Sequence, residues 1–156
     1  MSYICIVGIE QDIKQSKFKN DNQKATANIL FTASYLERRT QKILGEYKLT
    51  LPQFNILRIL RGQHPRAIMV NQLIERMLDH SSNASRIVDK LVAKQLVNRT
   101  VCPADRRAVD VHITAEGLEL LAKIDEVEEH FFFGTGVLSP EELKALNSIL
   151  DKGRKA

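Results

Sequence analysis

The sequence predicts a mostly α-helical chain with one small β-hairpin, arranged as a winged helix-turn-helix between further helices, and three observations carry this. Val70, Leu73, Ile74, Met77 and Leu78 recur at i, i+3, i+4, i+7 and i+8, the signature of a short amphipathic helix. Further along, a second helix at about 100° per residue gathers Ala84, Ile87, Val88, Leu91 and Val92 on one side and Ser82, Ser85, Arg86, Asp89, Lys90 and Ala93 on the other. Alternation then replaces helical spacing. Val97, Arg99 and Val101 share one side of a first strand, Val109, Val111 and Ile113 one side of a second, and Asn98, Thr100, Asp110 and His112 lie opposite. Helix, tight connection, helix and hairpin, in that order, make a helix-turn-helix with a wing.

The remaining elements follow along the chain. Residues 3–9 form an apolar run too short to span a membrane, read as a tail or a helix start. Between about residues 22 and 47, Ile29, Leu30, Ala33, Leu36, Ile43 and Leu44 draw a long interrupted apolar stripe, with Glu37, Arg38, Arg39 and Lys42 between them. The next helix opens at Thr50. Thr50 and Gln53 form a capping box, Leu49 and Phe54 occupy the staple positions, and Pro52 sits in the first turn where its missing N–H costs nothing. Gly62 and Pro65 close it. After the hairpin, Thr114 caps a helix expected to run through Leu118, Leu121, Ile124 and Val127 to about Phe133. Ser139-Pro140-Glu141-Glu142 opens the last one, which carries Leu143, Leu146, Ile149 and Leu150.

Charge is concentrated on the second helix and the hairpin. Residues 81–107 hold six basic side chains (Arg86, Lys90, Lys94, Arg99, Arg106, Arg107) and two acidic ones, Asp89 and Asp105, so their excess equals the net +4 of the whole chain. A local positive patch on an otherwise balanced protein is the electrostatic footprint of polyanion binding. Short hydroxyls, an arginine and a lysine on a helix that fits a major groove can bond to phosphates and base edges. Ser82, Asn83, Ser85, Arg86 and Lys90 are the expected major-groove contacts, with Lys94 at the far end of the helix expected on the phosphates. The hairpin tip reads Pro103-Ala104-Asp105-Arg106-Arg107. Pro103 presets φ, Asp105 is expected to orient an arginine, and Arg106 and Arg107 suit a narrow minor groove, where negative potential is strong and a weakly hydrated guanidinium loses little on entering.

No catalytic pattern accompanies this. His64, His80, His112 and His130 are scattered without a metal-ligand spacing, and no glycine-rich phosphate loop is present, so neither an enzyme nor a metal or cofactor is expected. Cys5 and Cys102 lie far apart and suggest no disulfide framework, which together with the lack of a secretion-signal pattern points to a reducing cytoplasm. Cys102 follows Val101 near Arg99 and Arg106, where positive charge favours the reactive thiolate, and with Cys5 it forms the alternative of a redox switch.

With these residues in view, 85–99 (SRIVDKLVAKQLVNR), 103–114 (PADRRAVDVHIT) and 115–121 (AEGLELL), within a segment from about 49 to 125, resemble the MarR (multiple antibiotic resistance regulator) family of transcriptional regulators. The combination is specific: a basic helix end, an Arg-bearing strand, an Asp-Arg-Arg tip and a Thr-x-x-Gly helix start. The resemblance implies one domain over residues 1–156, with a winged core at about 49–114 and dimerisation helices at about 10–47 and 115–152. It implies a homodimer on a two-fold double-stranded DNA operator, without a membrane. It also implies a repressor released by a small-molecule effector, whose pocket would involve residues 30–47, 54–57 and the helix start after Thr114. Consecutive Phe131, Phe132 and Phe133 fit that dimer, because residues radiating round a helix end need an apolar surface beyond their own stripe. The rival class is a winged-helix module that binds protein instead of DNA.

Overall fold

The computed structural model describes residues 8–78, 83–101, 109–127 and 137–155. They fall into two compact units, Met1–Arg39 and Thr40–Ala156. In the first, α1 (Ile9–Asp12) buries Ile9 and stops where Lys14 turns left-handed, at φ 54°. Glu10 pairs with Lys24 at 2.5 Å, and that hydrogen bond, ahead of a backbone bond, holds the Glu10 carboxyl below its ordinary pKa. The helix expected between about residues 22 and 47 is therefore preceded by a short separate one. The long helix α2 (Asp21–Glu46) starts only after Asn20, whose side chain accepts from the Gln23 N–H while the Gln23 side chain accepts from the Lys19 N–H. Such reciprocal bonding satisfies donors that a helix start leaves over, and so sets the boundary.

The second unit takes in the last turns of α2, which bury Leu44, and every later element. At the end of α2 the Leu49 N–H reaches the Leu44 carbonyl and the Lys48 N–H the Gly45 carbonyl, with Lys48 at φ 55°. Helix α3 (Leu51–Gln63) starts two residues later with the expected box: Thr50 accepts from the Gln53 N–H, and Gln53 accepts from the Thr50 N–H. Both staple residues, Leu49 and Phe54, are buried. After α3 come β1 (Ile68–Met69), α4 (Val70–Arg76), α5 (Ala84–Ala93), β2 (Val97–Val101), β3 (Val109–Ile113), α6 (Ala115–Asp125) and α7 (Pro140–Arg154).

The sheet is antiparallel in the order β1-β3-β2. Val97 faces Ile113, Arg99 faces Val111 and Val101 faces Val109, a register that keeps the sides set by alternation, since a one-residue slip would turn the valines outward. The strand β1 is an addition to the expected hairpin. Its two residues pair Ile68 with Val111 and Met69 with Asp110, too short a run to show a period. One core unites the unit: Ile56, Leu57 and Leu60 of α3, Leu73 of α4, Val88 and Leu91 of α5, Val111 of β3, and Leu121 and Ile124 of α6.

Three expectations change. Leu78 is 83% exposed, because α4 ends at Arg76 and Met77 is already extended, so the helical period no longer applies one residue later. Val92 is more than a third exposed, at the margin of a core face set by Ala84, Val88 and Leu91. Helix α6 ends at Asp125, and Phe131, Phe132 and Phe133 lie outside the described residues. The last helix opens on the expected Ser139–Glu142 box with Pro140 first, yet buries no residue at all. No helix among the described residues is long and apolar enough to cross a membrane.

Candidate nucleic-acid interface

The candidate surface is built on α5, which packs on α3, α4 and β2. Ala84, Val88 and Leu91 supply the packing face at i, i+4 and i+7, which leaves Ser85, Arg86, Asp89, Lys90 and Ala93 exposed together on the other side. Asn83 is the N-cap. Its Oδ1 accepts from the Arg86 N–H at 3.1 Å, so this residue, expected to face DNA, also holds the helix start, and its amide N–H groups take no part in that bond. Ser82 lies outside the described residues, as do Asp105, Arg106 and Arg107 of the wing tip and both candidate redox residues, Cys102 and Cys5.

Up to Val101 and from Val109 the strands that carry the tip are fully paired. Arg99 leaves β2 toward α5 and meets Asp89 at 2.5 Å, so one positive and one negative charge of the patch compensate each other across the helix–wing junction. Arg86 and Lys90, one turn apart, share the exposed face with Ser85.

The other end of the sheet is closed by Thr114 and Gly117. The Thr114 hydroxyl donates to the Gln95 carbonyl at 2.8 Å and accepts from the Gly117 N–H at 3.0 Å, while the Thr114 N–H reaches the Leu96 carbonyl at 3.1 Å. Gln95 takes the left-handed conformation, φ 60°, that lets α5 reverse directly into β2. Gly117 has no room for a side chain: a Cβ there would stand 2.4 Å from the Leu96 carbonyl oxygen and 2.7 Å from Ile113 Cγ1. The Thr-x-x-Gly start thus brings the backbone of α6 onto the turn between α5 and β2.

Lys94, expected on the phosphates, is bonded within the chain in this structure. The residue stays exposed, yet its Nζ donates to the Lys48 carbonyl at 2.5 Å and to Gln53 Oε1 at 2.9 Å. Burial, and then the charge of Lys90, lowers its pKa from the ordinary lysine value. Nothing in the local sequence announces this, since the partners lie 46 and 41 residues away. Of the region expected to line an effector pocket, Phe54, Ile56 and Leu57 belong to the core. Among the described residues, no three His, Cys, Asp or Glu side chains converge as a metal site.

Residues 49–109 match the sequence model of the MarR family. The chain is 31% identical to the HTH-type transcriptional regulator PecS of Dickeya dadantii over 124 residues, 77% of this chain and 74% of that one. Among solved structures, a mutant MarR from E. coli complexed with operator DNA is similar with a TM-score of 0.70 at 23% identity, covering 88% of this chain and 98% of that one. BpsR of Bordetella bronchiseptica, in a structure concerning regulation of its DNA binding by 6-hydroxynicotinic acid, reaches a TM-score of 0.71 at 23% identity, over 90% and 99% of the two chains. Both structural likenesses bear on the fold.

Proposed function

The chain belongs to the MarR family of transcriptional regulators, and from that premise we propose that it binds a two-fold double-stranded DNA operator as a homodimer and represses until a small-molecule effector releases it. The observation that carries the reading is the exposed face of α5, where Ser85, Arg86 and Lys90 stand together on a helix capped by Asn83 and beside a paired hairpin. A helix of this kind places hydroxyl and guanidinium donors at base-edge and phosphate positions. The net charge of +4 held within residues 81–107 adds the attraction to a polyanion. Operator DNA on the similar E. coli protein, and ligand control of DNA binding in BpsR, support the two halves of the proposal. In this reading residues 1–156 act as one domain in the cytoplasm, and Ser82, Arg106 and Arg107 complete the contact, the arginines in the minor groove and Asp105 orienting one of them.

Selection of genomic fragments on the purified protein, followed by titration of the recovered duplex at several salt concentrations, tests this. Arg107→Ala is expected to cost roughly 1–3 kcal/mol per contact and to relax preference at flanking bases. Each lost phosphate contact flattens the slope of log K against log salt by about 0.9, doubled in a dimer. No retention of duplex DNA, or an Arg106→Ala/Arg107→Ala double variant with unchanged affinity and slope, counts against the proposal and against its wing respectively.

A further inference from the structure

We propose that Lys94 is a positioning residue for the recognition helix α5, acting by tying its C-terminus to the turn between α2 and α3 and not by touching DNA. The inference rests on the DNA-binding reading above. Three helix ends meet at this one ammonium. The Lys48 carbonyl belongs to the left-handed residue that ends α2, Gln53 is the third residue of α3, and Lys94 is the C-cap of α5. Gln53 is a fixed anchor: it is buried, and its Oε1 already accepts from the Thr50 N–H in the capping box. A lysine side chain gives up rotamer freedom when it is held in one geometry. A lysine serving phosphates gains nothing from being ordered onto its own chain. Its two acceptors explain why it lies against the turn between α2 and α3.

The consequence for recognition is geometric. The ten residues of α5 span about 15 Å, so loosening the C-terminal end lets the helix tilt and displaces Ser85 and Arg86 at the other end. Base-edge bonds depend on such placement, whereas attraction to the phosphate backbone does not. Removing the ammonium is therefore expected to spoil discrimination between sequences while leaving general affinity for DNA in place.

The experiment compares wild type, Lys94→Met and Lys90→Met on the selected operator duplex and on an unrelated duplex of equal length, by fluorescence anisotropy across a salt series. Lys94→Met is expected to lose about tenfold on the operator, keep the affinity for the unrelated duplex and keep the salt slope, with Lys94→Arg recovering part of the loss. Lys90→Met is expected to flatten the slope on both duplexes. A Lys94→Met slope that flattens like that of Lys90→Met, or an unchanged operator affinity, overturns the proposal. Amide hydrogen exchange on the free protein decides it separately from DNA binding. Lys94→Met, or Lys94→Gln should the methionine variant not fold, is expected to speed exchange at Gln95 and Leu96 without changing Leu57 or Leu60. Unchanged exchange at Gln95 and Leu96 overturns the proposal even if wild type retains no duplex DNA, an outcome that sinks only the functional reading.

Discussion

Gly117 shows how a single residue sets the distance between two elements. The backbone of α6 lies so close to the α5–β2 turn that one methyl group would collide with a main-chain oxygen, which cannot rotate aside as a side chain can. Gly117→Ala is expected to destabilise by at least the ~1–3 kcal/mol typical of overpacking, lowering the melting temperature by several degrees. A thermal melt within one degree of wild type would show that α6 shifts freely on the sheet. Asn83 teaches the complementary lesson about residue roles. Its position before a basic helix suits either a cap or a DNA contact, and the structure gives its oxygen to the cap.

At the level of elements, α5 and β2 are joined by more than the chain between them. Asp89 on α5 and Arg99 on β2 pair across the junction with side chains 57% and 39% exposed, so the pair adds less than about 1 kcal/mol to stability. Its greater effect is on charge. If the exposed face of α5 meets DNA as proposed, Asp89→Asn is expected to leave the melt nearly unchanged while raising affinity for all duplexes alike, because a negative charge leaves that face and Arg99 is released to meet phosphate. The salt slope should steepen by about 0.9 for each new contact. Weaker binding would instead make Asp89 the group that holds Arg99 in its working position.

Across the whole molecule, unsatisfied apolar surface points to assembly. Leu30 of α2 is 66% exposed, Ile149 of α7 is 67% exposed, and Ile29, Tyr35 and Leu143 are exposed with them. An obligate homodimer buries over ~2,000 Å² of such surface. Light scattering at micromolar concentration is expected to give twice the chain mass of 17.7 kDa, and Leu30→Glu together with Ile149→Glu to shift the protein toward monomer. Monomeric wild type would remove the basis for a two-fold operator with half-sites about 34–36 Å apart.

What could be read from the sequence is what depends on neighbours along the chain. The boxes at Thr50–Gln53 and Ser139–Glu142, the Thr114 cap, the two hairpin strands with their alternation and the split of α5 into an apolar and a basic face all rest on residues within a turn or a strand, where spacing decides geometry. The tertiary structure decided the rest: that β1 exists, that Leu78 falls off its stripe, that Lys94 bonds to Lys48 and Gln53 and that Gly117 is a point of contact. The physical reason is common to all four. Each outcome depends on a partner distant in sequence or on a boundary that packing sets, and neither period nor propensity carries that information.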